Sequence, residues 1–261
     1  MKTDILEELS ALRRKDAALR ELQEPFAELR ERAQATPVPS DFAAAFAGPG
    51  LHVIAELKKA SPSEGLIRAD FEPTALAREL EGAGAAALSV LCEPHRFLGS
   101  EAYLRAARDA VAIPVLYKDF VTTPYQVAAA RAAGASAVLL IAAVLDDTRL
   151  AELLALCHEL GFAALVETHD ADEIRRAVAV GARIIGVNCR DLRTFRTDPA
   201  IVARLIGTIP DDRVRIAESG LKTADDLRRL ADAGVHGFLV GTALMRATRP
   251  GKVLQDLLHL N

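Results

Sequence analysis

From residue 52 onward the chain repeats one unit eight times: a short apolar run, then an alanine- and leucine-rich stretch with helical periodicity. The runs are His52 to Leu57, Ala86 to Leu91, Ile113 to Tyr117, Ala137 to Ile141, Ala163 to Val166, Ile184 to Val187, Val214 to Ala217 and Gly237 to Val240. Strands apolar on both faces must be covered on both, as parallel strands beneath crossover helices are. Eight such units close into a barrel of roughly 250 residues, and the chain has 261. The fold class expected is α/β, a (β/α)8 TIM barrel with an N-terminal helical extension. Residues 1–261 are read as one barrel domain, of which residues 1–50 are the extension and its linker.

Local punctuation agrees with that count. Gly84, Gly134, Gly161, Gly181 and Gly234 each follow a helical stretch and precede a strand, as helix C-caps do. Thr123-Pro124, Asp170 with Glu173, Asp198-Pro199, and Thr223 with Asp226 carry N-cap or first-turn chemistry. Ahead of the barrel, Ile5, Leu9, Leu12 and Leu19 recur at helical spacing until Pro25, and a second short helix is expected from Phe26 to Ala33. Pro37 and Pro39 then mark a linker. An open dinucleotide-binding sheet would carry G-x-G-x-x-G after its first strand; here Lys58-Lys59-Ala60-Ser61-Pro62 follows.

A net charge of −4 offers no general attraction to nucleic acid or acidic membranes, so the expected partner is a phosphorylated small molecule, with no nucleic acid and no membrane. No apolar run approaches membrane-spanning length, and the charged N-terminus is unlike a signal peptide, so a cytoplasmic location is expected. Cys92, Cys157 and Cys189 lie far apart and form no C-x-x-C pair, and the histidines show no metal-ligand spacing. Reduced thiols, no metal and no cofactor are expected, in a monomer or weak homo-oligomer.

In parallel barrels the chemistry sits at the carboxyl ends of the strands. There the sequence places Glu56 and Lys58 (first strand), Lys118-Asp119 (third), Glu167 (fifth), Asn188-Cys189-Arg190-Asp191 (sixth) and Glu218-Ser219-Gly220 (seventh). Any one of these alone reads as a solvated loop residue. Glu56, however, is embedded among Val53, Ile54, Ala55 and Leu57, where an unpaired carboxylate is costly and a lysine is the natural partner. Ser219-Gly220 and Gly241-Thr242 are small-residue turns before helices, the place where barrels often bind phosphate.

These residues resemble the indole-3-glycerol-phosphate synthase family across nearly the whole chain. The resemblance runs in ordered blocks: Ile54 to Gly65; Leu88 to Leu91 with Glu93, Phe97, Gly99 and Ser100; Tyr117-Lys118-Asp119-Phe120; Leu165-Val166-Glu167; Gly186 to Leu192; Ala217 to Gly220; and Phe238 to Gly241. It implies a carboxy-lyase of tryptophan biosynthesis that closes, decarboxylates and dehydrates 1-(2-carboxyphenylamino)-1-deoxyribulose 5-phosphate. By the same resemblance the catalytic residues are Lys118 as general acid for ring closure, Glu167 as its acid-base counterpart, Lys58 for the dehydration, and Glu56. Asn188, Arg190, Ser219, Glu218, Phe97 and Phe120 bind substrate. Ser61, Gly220, Gly241 and Thr242 surround the phosphate. A mixed cluster of lysines and carboxylates is expected to tune acids and bases near neutral pH.

Two positions depart from the family's pattern. Glu64 stands where a basic residue is common, in a loop where it would repel an anionic substrate unless it pairs with a neighbour such as Lys59 or Arg68. Cys189 replaces a common asparagine, and strand alternation turns it away from its neighbours into packing. Other phosphosugar barrels of the same pathway, phosphoribosylanthranilate isomerase and the tryptophan synthase α chain, fit the two-lysine, two-glutamate set less well. A non-catalytic phosphate-binding relative would not need an intact acid-base set.

Overall fold

A computed structural model describes residues 5–190, 200–221 and 223–258. Eight parallel strands close a barrel in chain order: β1 (His52–Leu57), β2 (Ala87–Leu91), β3 (Val115–Lys118), β4 (Ala137–Ile141), β5 (Ala163–Thr168), β6 (Ile184–Asn188), β7 (Val214–Glu218) and β8 (Gly237–Val240), with β8 pairing back onto β1. Helices α3 (Pro73–Gly82), α4 (Glu101–Arg108), α5 (Pro124–Ala132), α6 (Asp147–Glu159), α7 (Ala171–Ala179), α8 (Ala200–Leu205) and α9 (Ala224–Asp232) connect successive strands, and α10 (Thr242–Arg246) and α11 (Pro250–Leu258) follow the last. No helix among the described residues is long and apolar enough to cross a membrane.

Strand starts and ends obey different rules. β3 begins at Val115 rather than Ile113, because Pro114 offers no N–H to the ladder. At the other end, β3, β5, β6 and β7 run one or two residues past their last apolar residue, to Lys118, Thr168, Asn188 and Glu218. The backbone keeps pairing there while the side chains become polar. The loop after β1 holds a short antiparallel ribbon that the apolar pattern does not announce, Ala60–Ser61 against Gly65–Leu66.

The five C-cap glycines all have positive φ, from +68° at Gly161 to +98° at Gly234, the left-handed turn that ends each helix. Thr123 and Thr223 form complete capping boxes with Gln126 and Asp226, and Asp170 accepts from the Glu173 N–H. Asp191 and Asp198-Pro199 lie outside the described residues.

The N-terminal extension spans the barrel from mouth to floor. α1 (Ile5–Glu21) lies at the mouth, where Leu6 and Leu9 join Phe120 in one apolar cluster. α2 (Phe26–Ala35) packs on α5, and the Arg131 guanidinium of α5 donates to the Thr36 and Pro37 carbonyls. Phe42 and Phe46 then close the floor, Phe46 lying so near Gly237 that a Cβ there would overlap its ring. The buried stripe of α1 differs from the expected one. Leu6, Leu9, Arg13 and Ala17 face inward and Leu19 is exposed, because Arg13 meets a buried carboxylate of the barrel.

Candidate active site

Period-2 alternation decides which side chains enter the barrel. Counting from the interior residues Ile54, Leu116, Leu165, Ile184, Ile216 and Leu239, the next inward positions toward the mouth are Glu56, Lys118, Glu167, Gly186, Glu218 and Gly241. Register brings them level: Leu91 pairs with Lys118, Ile141 with Glu167, Glu167 with Gly186, and Asn188 with Glu218. Gly186 is required there, because a Cβ would overlap the Glu218 carboxylate. A Cβ on Gly241 would likewise overlap that of Glu56.

Together these side chains form one charge cluster. Lys58 Nζ donates to Glu56 Oε1 at 2.6 Å; Lys118 Nζ lies 3.4 Å from Glu167 Oε2 and 3.9 Å from Glu218 Oε2. All three carboxylates are buried. Burial works against the Glu56 carboxylate, but Lys58 and Lys118 outweigh it and hold its pKa below the usual value. For Glu167 burial again opposes the charge, and Lys118 and His169, with Glu218 and Asn188 beside them, overcome it. Glu218 goes the other way: burial, then the Glu167 charge, push it well above the usual range. The consistent reading is a Glu218 carboxyl that keeps its proton beside an ionised Glu167. Burial disfavours the Lys118 ammonium, yet its glutamate neighbours, Glu167 foremost, raise its pKa above that of free lysine. The expected tuning toward neutrality is therefore not found for Lys118. Its carboxylate neighbours dominate and keep it an ammonium.

Around the cluster lies a cavity of about 660 Å³. Every residue singled out above as catalytic, substrate-binding or phosphate-binding lines it: Glu56, Lys58, Lys118 and Glu167; Asn188, Arg190, Ser219, Glu218, Phe97 and Phe120; Ser61, Gly220, Gly241 and Thr242. At the turn after β7, Ser219 and Gly220 both take positive φ, +68° and +70°. For serine that conformation is strained, a cost tolerated where function needs the backbone turned. The Ser61 hydroxyl is buried with no hydrogen-bond partner among the described residues. Cys189 faces away from the cavity into packing, its thiol donating to the Ser219 carbonyl at 3.0 Å.

On one wall Phe97 and Phe120 stand 6.2 Å apart at 41°, suited to an aromatic ring. Phe97 is held by a device that composition does not reveal. Buried Glu93 accepts the N–H groups of His95, Arg96 and Phe97 at 2.6, 2.7 and 2.9 Å and so folds the β2 loop. Gly99 presses against the Leu91 carbonyl, leaving no room for a side chain.

Two features escaped the sequence reading. Asp119, the neighbour of Lys118, points outward and accepts three bonds from Arg13: Nε at 3.0 and 3.1 Å and Nη2 at 2.7 Å. Arg13 Nη1 also binds Asp16, which accepts from His95 Nε2. The extension is thereby pinned to the loops after β2 and β3. Only contact across more than a hundred residues could have revealed this pair. The second concerns Glu64, whose partner is Arg246 at the end of α10, not Lys59 or Arg68. Arg68 donates instead to the Met245 and Ala247 carbonyls, so the β1 loop clasps α10 twice.

A family model described as indole-3-glycerol phosphate synthase matches residues 6–257. Indole-3-glycerol phosphate synthase of Laribacter hongkongensis is 47% identical over 260 residues, covering 98% of this chain and 99% of the relative. That of Acidithiobacillus ferrooxidans is 45% identical over 259 residues, 98% of each. Among solved structures, 3-hexulose-6-phosphate synthase from Salmonella typhimurium superposes with a TM-score of 0.66 at 13% identity, over 80% of this chain and 98% of that one. Thiamine phosphate pyrophosphorylase from Pyrococcus furiosus does so with 0.61 at 16%, over 83% and 96%. At such identities these two speak for the barrel alone.

Proposed function

The chain belongs to the indole-3-glycerol phosphate synthase family, carboxy-lyases of tryptophan biosynthesis, and from that premise we propose which of its residues perform the reaction. The observation that carries the assignment is the position of Lys118: an ammonium facing Glu167 and Glu218 at the level where the Phe97–Phe120 wall opens. The anthranilate ring packs against that wall. As its carboxylate-bearing carbon attacks the sugar-derived carbonyl, Lys118 gives a proton to the carbonyl oxygen. The C–C bond to the carboxylate then breaks, releasing CO2, and its electron pair returns to the ring system. Lys58, held by Glu56, delivers the proton with which the new hydroxyl leaves as water. As that hydroxyl leaves, Glu167 takes a proton from the new five-membered ring, which completes the indole.

Asn188, Arg190, Ser219 and Glu218 position the sugar and carboxylate. Backbone N–H groups at Gly220, Gly241 and Thr242, with the Ser61 hydroxyl, receive the phosphate. The three cysteines are buried and form no disulfide among the described residues, which suits a reducing, cytoplasmic compartment, and we propose that the chain works as one barrel domain, as a monomer or weak homo-oligomer with no nucleic-acid partner.

Indole fluorescence from the carboxyphenylamino-deoxyribulose phosphate tests the assignment. Lys118→Met is expected to fold and bind but to lose about 10²–10⁴-fold in kcat, the usual contribution of a positioned general acid. A near-normal kcat would remove Lys118 from the mechanism, and full activity in Glu167→Gln would place the base elsewhere.

A further inference from the structure

His169 follows β5 directly, lies beside Glu167 and is not among the residues that line the substrate cavity. Its Nδ1 is 3.2 Å from Glu173 Oε2, and that same oxygen accepts the His169 backbone N–H at 2.8 Å. Its Nε2 is 3.6 Å from Glu167 Oε1. These last two atoms are both buried, and neither has a hydrogen-bond partner among the described residues. Lys118 approaches the other carboxylate oxygen, Oε2, so Glu167 stands between two nitrogen groups, one inside the cavity and one behind it.

The charge state of the imidazole follows from its neighbours. A carboxylate only accepts, so the nitrogen facing Glu173 carries its proton. In a neutral ring Nε2 would then aim a lone pair at the Glu167 carboxylate. Protonation turns that repulsion into a charge-assisted attraction, and a short movement makes it a hydrogen bond. The titratable groups facing the ring are Glu167 from β5, Asp170 at the α7 N-cap and Glu173 from α7. Beyond Glu167 stand Lys118 of β3 and Glu218 of β7, and the turn 142–144 against α7 contributes only apolar side chains. Burial opposes the imidazolium, and Glu173, Glu167 and Asp170 together outweigh it.

We propose that His169 is a positioning residue for Glu167: an imidazolium gripped by Glu173 that holds the carboxylate ionised from behind, so that Glu167 remains available as a base when Lys118 gives up its proton. This rests on the reading of Glu167 as the base. With the imidazolium present, Glu167 stays ionised into the acid range; without it, the carboxylate binds a proton at higher pH. The test is kcat and KM against pH for wild type, His169→Leu and His169→Gln, where glutamine keeps a donor but no charge. Both variants are expected to move the acidic limb of kcat upward by about one pH unit, at the low end of what an opposite charge at 4–6 Å contributes. At pH values below the limb that is roughly a tenfold loss of kcat, with KM changed less than about twofold.

A purely structural role would lower the melting temperature and leave the limb in place, which overturns the proposal; so does a wild-type limb in His169→Gln, since a hydrogen bond alone would then suffice. If the His169 variants do not fold, Glu173→Gln, remote from substrate, must shift the limb the same way by a smaller amount, and an unmoved limb there also refutes the idea. Glu167→Gln separates the layers. If it is inactive while the His169 limb stays put, only the proposal fails; if it is fully active, the base assignment fails and takes the proposal with it.

Discussion

Replacing Arg13 by methionine removes the guanidinium that joins the N-terminal extension to the residue beside Lys118. Asp119 is only 2% exposed and accepts three of its bonds from Arg13. What remains is the Tyr117 hydroxyl at 3.2 Å and the Phe120 N–H at 2.8 Å. Burial pushes the Asp119 carboxyl up, and the guanidinium is the main opposing influence. Removing one partner of a buried pair costs about 3–5 kcal/mol because the other charge is left uncompensated. The two surviving donors place this case near the lower end, about 3 kcal/mol. For a chain of this size each kcal/mol is worth roughly 2–4 °C, so the melting temperature should fall by about 6–12 °C. Calorimetry and chemical denaturation of Arg13→Met, Asp119→Asn and the double variant form the cycle. The double variant should be more stable than additivity of the singles requires, by at least about 1 kcal/mol. Because Asp119 orders the β3 loop, kcat should also fall in Arg13→Met while substrate KM changes little. A drop below about 3 °C together with additive singles would refute the reasoning and reduce the bridge to a surface contact.

Gly186→Ala should displace the Glu218 carboxyl it would overlap and lower kcat at least about tenfold with a smaller effect on KM; unchanged kcat would mean that Glu218 moves aside freely. Glu64→Lys frees Arg246 beside the cavity and should raise kcat/KM at low ionic strength, an advantage that fades as salt screens it. A loss at every salt concentration would assign the Glu64–Arg246 pair to ordering the loop. His236 accepts the Arg215 N–H at Nδ1 at 3.0 Å, which only the unprotonated nitrogen can do. Burial and Arg215 lower its pKa from 6.5, so the unfolded chain binds this proton more readily. Its stabilising contribution is therefore complete above pH 6.5 and is lost as pH falls through the lowered value. Melting temperatures of wild type and His236→Gln should converge on acidification, and parallel curves would exclude it.

Legibility in the sequence followed the range of the forces involved. Strand positions could be read because a parallel strand buried on both faces has to be apolar, and helix ends because Thr123, Asp170, Thr223 and the five glycines act within a few residues of themselves. The carboxyl ends of β3, β5, β6 and β7 could not, since ladder hydrogen bonds ignore side-chain polarity and the apolar pattern stops before Lys118, Glu167, Asn188 and Glu218. The same alternation that turned Cys189 into packing also turned Asp119 outward, but only the folded chain supplies Arg13 to meet it. Glu64 is a similar case: Lys59 and Arg68 are its neighbours in sequence, and the barrel's closure brings Arg246 from 182 residues away.

Charge arithmetic within the mouth explains a division of labour in the proposed mechanism. Lys58 is committed to Glu56, and Lys118 to Glu167 and Glu218. With Glu218 holding its proton, the Lys58 and Lys118 ammonium groups face the Glu56 and Glu167 carboxylates, so each lysine is matched before substrate arrives. Neither lysine is then spare for a phosphate. Were either lysine drawn to the phosphate, a buried carboxylate would lose its nearest ammonium, at a cost of several kcal/mol. In the proposed mechanism the phosphate is instead received by backbone at the turns after β7 and β8, the first of which holds Ser219 and Gly220 in the left-handed region. Peptide N–H groups bind an anion without carrying a titratable charge, so they leave the acid-base cluster undisturbed. The positive φ of Ser219 fits that proposal, in which the turn serves by where it points the backbone and the two lysines serve by moving protons.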